Sequence, residues 1–130
     1  MVRQYNQPCP IALTLDIVGD RWTLIILRDL RFGLTKFSEV LANSPGLPPR
    51  ILSERLKKLV EHGLVERVVY SEHPLRAEYR LTEKGISLEP VMEAIAAWGM
   101  QHLLEDGERA AVQSRLREVL GHEVGAASAD

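Results

Sequence analysis

The stretch that decides the fold is residues 45–67, PGLPPRILSERLKKLVEHGLVER. Its proline and glycine residues predict a turn, after which a helix follows Pro48 and Pro49 and ends at Gly63. Apolar residues recur at helical spacing and form one face: Ile51, Leu52, Leu56, Leu59 and Val60. The other face carries polar and charged residues: Arg50, Ser53, Glu54, Lys57 and Lys58. A helix divided in this way has one side for a core and one for a polar partner.

Three further helices are predicted before this turn. The first begins at Pro10 and ends at Gly19, and Asp20 is placed to cap the second. The third is predicted to start at Thr35, a second candidate cap. Its inward-facing residues are Phe37, Val40 and Leu41. Because a short Pro/Gly turn joins the third helix to the fourth, the pair is typical of a helix-turn-helix.

Two strands, Leu64 to Tyr70 and Ala77 to Leu81, are predicted after the fourth helix, with a hairpin tip from Glu72 to Arg76. A long helix should then run from Thr82 to about Leu103, kinked or broken at Pro90. A last helix follows from Asp106 to about Leu120, and a small-residue tail ends the chain. The predicted fold is therefore mainly α with a small β wing (α+β), a winged helix-turn-helix.

Composition excludes several classes of protein. A chain of 130 residues suffices for one domain with its own core. Its longest apolar run, around Trp22 to Leu27, is far shorter than the roughly 20 residues that span a membrane. With a single cysteine and no signal peptide at the N-terminus, we expect a cytoplasmic protein. The four histidines lack metal-ligand spacing, and no phosphate loop or nucleophile elbow is present. We therefore expect no enzyme, no metal and no cofactor.

Charge is unevenly distributed along the chain. The net charge is −2, yet residues 1–85 hold 13 basic and 10 acidic residues, whereas residues 86–130 hold 3 basic and 8 acidic ones. The basic excess coincides with the predicted helix-turn-helix, although an excess this small also lies within ordinary variation. So mild a charge predicts weak non-specific DNA binding, since phosphate neutralisation supplies most of that affinity.

Several short segments together resemble one family. They are CP at 9–10, DIVGDRWT at 16–23, FSEV at 37–40, LSERLKKL at 52–59, GLVER at 63–67 and EYRLTEKG at 78–85, with Trp98 further on. In order and spacing they resemble the HxlR-type branch of the MarR-like winged-helix transcriptional regulators. The resemblance covers residues 9 to about 102 and implies a homodimeric bacterial DNA-binding regulator. We accordingly predict a flexible arm (1–8), a winged-helix DNA-binding and dimerisation domain (9–103), and a helical extension with a tail (104–130).

Candidate DNA contacts follow from the helix-turn-helix. Residues near the start of its second helix meet base edges in the major groove, which favours Pro49, Arg50 and Ser53, with Glu54 beside them. Phosphate contacts are predicted for Lys57 and Lys58 in the same helix and for Lys36 and Ser38 in the preceding one. At the hairpin tip, Arg76 is suited to a narrow minor groove and His73 to a phosphate. The competing interpretation is an ordinary solvated surface, and Arg55 could instead support the fold.

Cys9 is a candidate redox sensor. It lies beside Pro10 at the start of a helix, where unpaired N–H groups and the helix dipole favour a thiolate. The resemblance points the same way, because many relatives carry a cysteine here that responds to oxidants or electrophiles. The competing interpretation is a small apolar residue without a redox role.

An apolar stripe on the long helix is a candidate dimer interface, with the molecule's own core as the alternative. Its residues are Leu88, Val91, Ile95, Trp98 and His102, to which we add Ile11 and Leu15 of the first helix. A two-fold dimer predicts an operator with an inverted repeat.

The sequence as a whole predicts a DNA-binding repressor of nearby genes that responds to a thiol-reactive electrophile through Cys9. The alternatives are a protein-interaction module and a regulator that responds to a small ligand without any redox role for Cys9.

Overall fold

The computed structural model describes residues 8–120, with side chains described as far as Arg115. The predicted tail and almost all of the predicted arm lie outside these residues. The described elements are α1 (Pro10–Val18), α2 (Thr23–Arg31), α3 (Phe37–Asn43), α4 (Pro49–Glu61), β1 (Val65–Glu72), β2 (Leu75–Leu81), α5 (Glu83–Ile86), α6 (Glu89–His102) and α7 (Asp106–Leu120). The fold is mostly helical with a two-stranded antiparallel wing, as predicted.

The chain divides into two compact units, with the division between Ile86 and Ser87. The first unit contains α1 to α5 and the hairpin, and the second contains α6 and α7. This division lies well before residue 103, where we placed the end of the winged-helix domain. The domain limits given above stay a prediction.

The core of the first unit is built around α2 and α4. Ile26 and Leu27 of α2 are fully buried, and Leu52, Leu56 and Leu59 of α4 are at most 1% exposed. This is the face that the sequence predicted, with Val60 at its exposed edge. Burial of each such side chain stabilises the fold by about 1.5–3 kcal/mol. The leucine face therefore fixes which side of α4 remains outside.

Asp20 serves the start of α2, as predicted, although Trp22 is the residue directly before that helix. The carboxylate of Asp20 accepts hydrogen bonds from the backbone N–H groups of Trp22 and Thr23, each at 3.1 Å, and from the Thr23 hydroxyl. The predicted cap of α3 was wrong, because Lys36 precedes that helix and its backbone N–H is bonded by the Glu39 carboxylate at 3.0 Å. Thr35 instead bonds the wing: its hydroxyl donates to Glu78 and its carbonyl accepts from the backbone N–H of Tyr79.

A buried carboxylate of α2 stabilises the turn between α3 and α4. Asp29 of α2 is fully buried and accepts a hydrogen bond from the Asn43 side chain at 3.0 Å. Gly46 adopts a φ of +95°, which favours glycine, and Leu47 enters the core. The turn residues and this buried contact together set the direction in which α4 begins.

The wing is longer than predicted. β1 and β2 pair from Val65↔Leu81 to Glu72↔Leu75, with a register irregularity between Val69 and Ser71. Three of the residues predicted for the tip, Glu72, Leu75 and Arg76, are therefore ladder residues. The tip proper is His73-Pro74, which is a cis peptide.

The predicted long helix after the wing is two helices. The hydroxyl of Thr82 accepts the Gly85 N–H at 3.1 Å and so caps the short helix α5. The helical conformation ends at Ile86, and α6 starts at Glu89 with Pro90 as its second residue. Proline is tolerated there because the first N–H groups of a helix have no partner within it. The break predicted at Pro90 is thus confirmed just before that residue.

In the second unit, Arg109 of α7 closes the end of α6. Its guanidinium donates to the carbonyl of Met100 at 2.8 Å and to that of Leu104 at 3.1 Å, and it pairs with Asp106 at 3.0 Å. The last carbonyls of a helix lack partners within the helix. Arg109 therefore ties the beginning of α7 to the end of α6.

Candidate nucleic-acid interface

The outer face of α4 presents the residues that the sequence predicted for DNA contact. Pro49, Arg50, Ser53, Glu54 and Lys57 are all exposed. Arg50 is the most prominent, with 76% of its side chain exposed, and its guanidinium pairs with the Glu54 carboxylate at 2.8 Å. This pair lies one helical turn apart, so Glu54 holds the guanidinium along the outer face of the helix.

Two further cations of α4 turn towards the fold. The ammonium of Lys58 donates to the backbone carbonyl of Asp16 at 2.8 Å, and the side chain is half-buried. Lys58 therefore does not lie on the exposed face of α4 that the sequence predicts for it. Arg55, which was left open, pairs with Asp20 through its Nε at 2.9 Å. Both contacts reach the segment where α1 ends and α2 begins.

Asp20 is the electrostatic centre of that segment. Its partial burial acts to raise the carboxyl pKa. Hydrogen bonds from the Thr23 hydroxyl, the Arg55 guanidinium and the Trp22 N–H outweigh this effect and lower the pKa from 3.8 to about 2. The carboxylate is therefore charged at neutral pH and serves both the start of α2 and the side of α4.

The wing carries His73 and Arg76 on an exposed surface. Arg76 is not in the tip itself but pairs across the ladder with Ser71. His73 is in the tip, where the Ser71 hydroxyl donates to the carbonyl of Pro74 at 2.9 Å. These contacts leave both predicted side chains accessible.

The start of α3 lies against the wing. Lys36 and Ser38 are exposed, and the Lys36 ammonium lies 5.5 Å from the centre of the Tyr70 ring. Glu78 links the same elements, because it accepts from Thr35 and pairs with Arg80. The hydrogen bond from Arg80 outweighs other effects and lowers the pKa of Glu78. Sequence reasoning missed the contacts of Tyr70 and Glu78, because their partners at the start of α3 are distant in sequence.

Cys9 is exposed and lies directly before α1. Its backbone carbonyl accepts the first intrahelical hydrogen bond, from Leu13 at 2.9 Å. Along the same helix, Ile11 is 72% and Leu15 is 56% exposed, and Val18 is its buried residue. The start of α1 thus offers a thiol and an apolar surface that the first unit leaves uncovered.

The stripe predicted on α6 is largely uncovered as well. Ile95 is 54% and Trp98 is 59% exposed, while Val91 is exposed to a lesser degree. The Trp98 ring contacts that of His102 at an interplanar angle of 42°, with 4.8 Å between the ring centres. Leu88 is half-buried and directly precedes the helix. The stripe is therefore a continuous surface feature at helical spacing rather than a set of isolated residues.

Among the described residues, no group of three or more His, Cys, Asp or Glu side chains is arranged to hold a metal ion. Within the same part of the chain, no helix is both long and apolar enough to cross a membrane.

Known proteins share this architecture. Residues 17–107 match the HxlR-like helix-turn-helix family. An HTH-type transcriptional regulator of Mycobacterium tuberculosis is 46% identical over 93 residues, which are 72% of this chain but only 58% of that relative. The reduced form of the transcriptional regulator YodB from B. subtilis has a TM-score of 0.63 at 35% identity, covering 75% of this chain and 96% of YodB.

A second solved structure, the redox regulator HypR in its oxidized form, has a TM-score of 0.69 at 34% identity and covers 75% of this chain and all of HypR. The family match spans the helix-turn-helix, the wing, α6 and the start of α7. The exposed outer face of α4 and the adjoining wing thus belong to a DNA-binding architecture. This chain belongs to the HxlR-like helix-turn-helix family.

Proposed function

We propose that the protein is a sequence-specific repressor of nearby genes that binds an inverted-repeat operator as a homodimer. The observation that carries this proposal is the division of α4. Its leucine face is buried in the core. The opposite face, which includes Arg50, is exposed, and the wing next to it is exposed as well. A helix presented in this way can enter the major groove with its first turns towards the bases.

Base reading is assigned to the first half of α4. Arg50 can donate two hydrogen bonds to a guanine, a contact worth about 1–3 kcal/mol of discrimination. Pro49 and Ser53 complete the surface that faces the bases. Glu54 has two roles in this proposal: it preorients Arg50 through their 2.8 Å contact, and its charge opposes binding where no guanine is in place.

Phosphate contacts position the protein without specifying sequence. Lys57 supplies one from the outer face of α4, and Lys36 and Ser38 supply others from the start of α3. On the wing, Arg76 enters the minor groove and His73 reaches a phosphate. We do not assign Lys58 to DNA, because its ammonium is bonded to the carbonyl of Asp16.

The homodimer is assigned to the two uncovered apolar surfaces, one at the start of α1 and one on α6. A symmetric dimer buries the same surface from both copies. Large apolar patches that remain exposed mark interaction sites. Two copies related by a two-fold axis would place their α4 helices in successive major grooves, roughly 34–36 Å apart.

A selection from a random DNA library tests this function. The purified protein is expected to enrich an inverted repeat, and Arg50→Ala should weaken binding to the enriched DNA by about 10-fold or more. Arg76→Ala should weaken binding without changing the bases selected in the major groove. Glu61→Gln, at the exposed end of α4, is the matched control. Failure of the unaltered protein to enrich any motif would exclude the function and favour a protein-interaction module.

We also propose that Cys9 makes this regulator responsive to oxidants. The supporting observations are its exposure at the start of α1 and the likeness to HypR, whose name describes a redox regulator. Two Cys9 thiols, one from each copy, would lose two protons and two electrons to one diamide molecule and form a disulfide. Diamide should then change operator binding of the native protein and leave that of Cys9→Ser unchanged. An equal response of both proteins would identify a different effector mechanism.

A further inference from the structure

The contacts of Arg55 and Lys58 join α4 to the segment where α1 ends and α2 begins. Lys58 donates to Asp16, in the last turn of α1, and Arg55 pairs with Asp20, which serves the start of α2. We call these two contacts the α4 clamp. The last carbonyls of a helix lack partners within it and carry partial negative charge. Lys58 therefore serves the end of α1 in the way that Asp20 serves the start of α2.

The first helix is attached unevenly to the rest of its unit. Val18, its buried residue, and the Lys58 contact both lie in its last turn. Towards its start, Leu15 and Ile11 are more than half exposed. Ala12 and Leu13 are partly buried, so the start of α1 is less firmly packed than its end but not free. A rigid helix packed in this way carries a displacement of its less buried end to its anchored end. In α1 the anchored end is in direct contact with α4.

The junction leaves little room for adjustment. Gly19 follows α1, and a Cβ atom at this position would lie 2.4 Å from the carbonyl oxygen of Leu15. That atom belongs to the backbone, so a side chain at residue 19 can be accommodated only if the backbone of residue 19 or of the last turn of α1 shifts. Asp20 comes next and accepts four hydrogen bonds, one from Trp22, two from Thr23 and one from Arg55. A shift of α1 therefore acts on the clamp.

We propose that α1 is a lever on the DNA-reading helix and that Lys58 and Arg55 are positioning residues that transmit its orientation to α4. This inference rests on the proposed DNA reading by α4 and adds its regulation. A change at the start of α1, where we place the second copy and Cys9, alters the presentation of Arg50 without touching it. Lys58, assigned to phosphate from sequence alone, acts on DNA indirectly.

A double-mutant cycle on operator affinity tests the lever. Gly19→Ala disturbs α1 at its junction, and Lys58→Met cuts the contact between α1 and α4. We expect Gly19→Ala to change operator affinity by about 10-fold in the native background, the usual range of coupling between two sites. In the Lys58→Met background only the Arg55 contact of the clamp remains, so the same substitution should change affinity by clearly less, about 3-fold or below. Affinity is measured by fluorescence anisotropy on DNA enriched by the native protein.

Two variants separate positioning from simple support of the fold. Lys58→Arg retains a cation that reaches the Asp16 carbonyl, so it should restore the full effect of Gly19→Ala. Glu61→Gln, on the same helix but outside the clamp, should leave that effect intact. Circular dichroism checks folding of each protein. Should Gly19→Ala fail to fold, Val18→Ala disturbs the same turn and replaces it in the cycle.

The outcomes distinguish this inference from the function on which it rests. Equal effects of Gly19→Ala with and without the Lys58 contact would overturn the lever, as would no effect in the native background. Either result would leave DNA reading by α4 in place, because the native protein would still bind its enriched motif. Absence of any enriched motif would instead overturn the proposed function.

Discussion

Helices α4 and α6 both carry apolar side chains at helical spacing, but they differ in what covers them. In α4, Leu52, Leu56 and Leu59 are sealed in the core of the first unit. In α6, more than half of the surface of Ile95 and of Trp98 remains open. The same sequence pattern therefore produces a core face in one helix and an uncovered face in the other. Spacing identifies the face of a helix, whereas the partner of that face depends on the rest of the fold.

Truncating one side chain in each of the two apolar stripes should produce the largest difference between α4 and α6. Leu56→Ala should lower the free energy of unfolding by about 2–5 kcal/mol, because it leaves a cavity in a close-packed core. Ile95→Ala, which removes a half-open side chain, should lower it by less than about 1 kcal/mol in dilute protein. Urea denaturation at low protein concentration measures both values. Equal losses would show that the two stripes serve the same core.

Truncating the largest side chain of the α6 stripe tests whether this stripe forms the dimer interface. Trp98→Ala should weaken self-association by about 2 kcal/mol, as expected for an aromatic residue central to an interface. This corresponds to a roughly 30-fold rise in the dimer dissociation constant. Sedimentation velocity over a range of concentrations measures that constant. Val69→Ala, which shortens an exposed apolar residue of the wing, is the control. An unchanged constant would remove α6 from the interface.

The polar attachment of α4 predicts a dependence of stability on pH. The pKa of Asp20 is lowered from 3.8 to about 2 in the folded protein. Its contribution is therefore complete above pH 4 and is lost as the pH falls towards 2. The loss should amount to about 2 kcal/mol of unfolding free energy. It is measured as the difference between the native protein and Asp20→Asn at pH 5 and at pH 2. A constant difference would contradict the assignment.

The smallest effect on stability is expected on the outer face of α4. Glu54→Gln breaks the exposed pair with Arg50, and such pairs contribute about 0.5 kcal/mol or less. Thermal unfolding should therefore be almost unchanged, while the preference for enriched over random DNA should fall. A large loss of stability would mean that this face supports the fold, unlike the open face proposed here.

Much of the fold was predictable because its signals are local. The leucine spacing located α4, Asp20 located the start of α2, and Gly63, with a φ of +75°, marks where α4 gives way to the wing. Each of these depends on a few neighbouring residues. The helix break before Glu89 was also predictable from a local signal, namely Pro90.

What was missed depends on distant parts of the chain. Lys57 and Lys58 are adjacent in sequence but point about 100° apart on a helix, so only the position of α1 decides that Lys58 is engaged. Thr35 is a suitable helix cap by residue type, yet its hydroxyl donates to Glu78 and its carbonyl accepts from the N–H of Tyr79, both in the wing. A chemically suitable residue can serve either purpose, and the tertiary fold chooses between them.

The length of the wing has a consequence for the extent of DNA that one copy covers. β1 has 8 residues, which extend over about 25 Å, the length of roughly seven base pairs at 3.4 Å each. A hairpin with this reach lies beside a helix whose reading residues fall within two turns. The nuclease footprint of the protein should therefore be wider than the bases it discriminates. The flanking DNA would contribute through the width of its groove rather than through the identity of its bases.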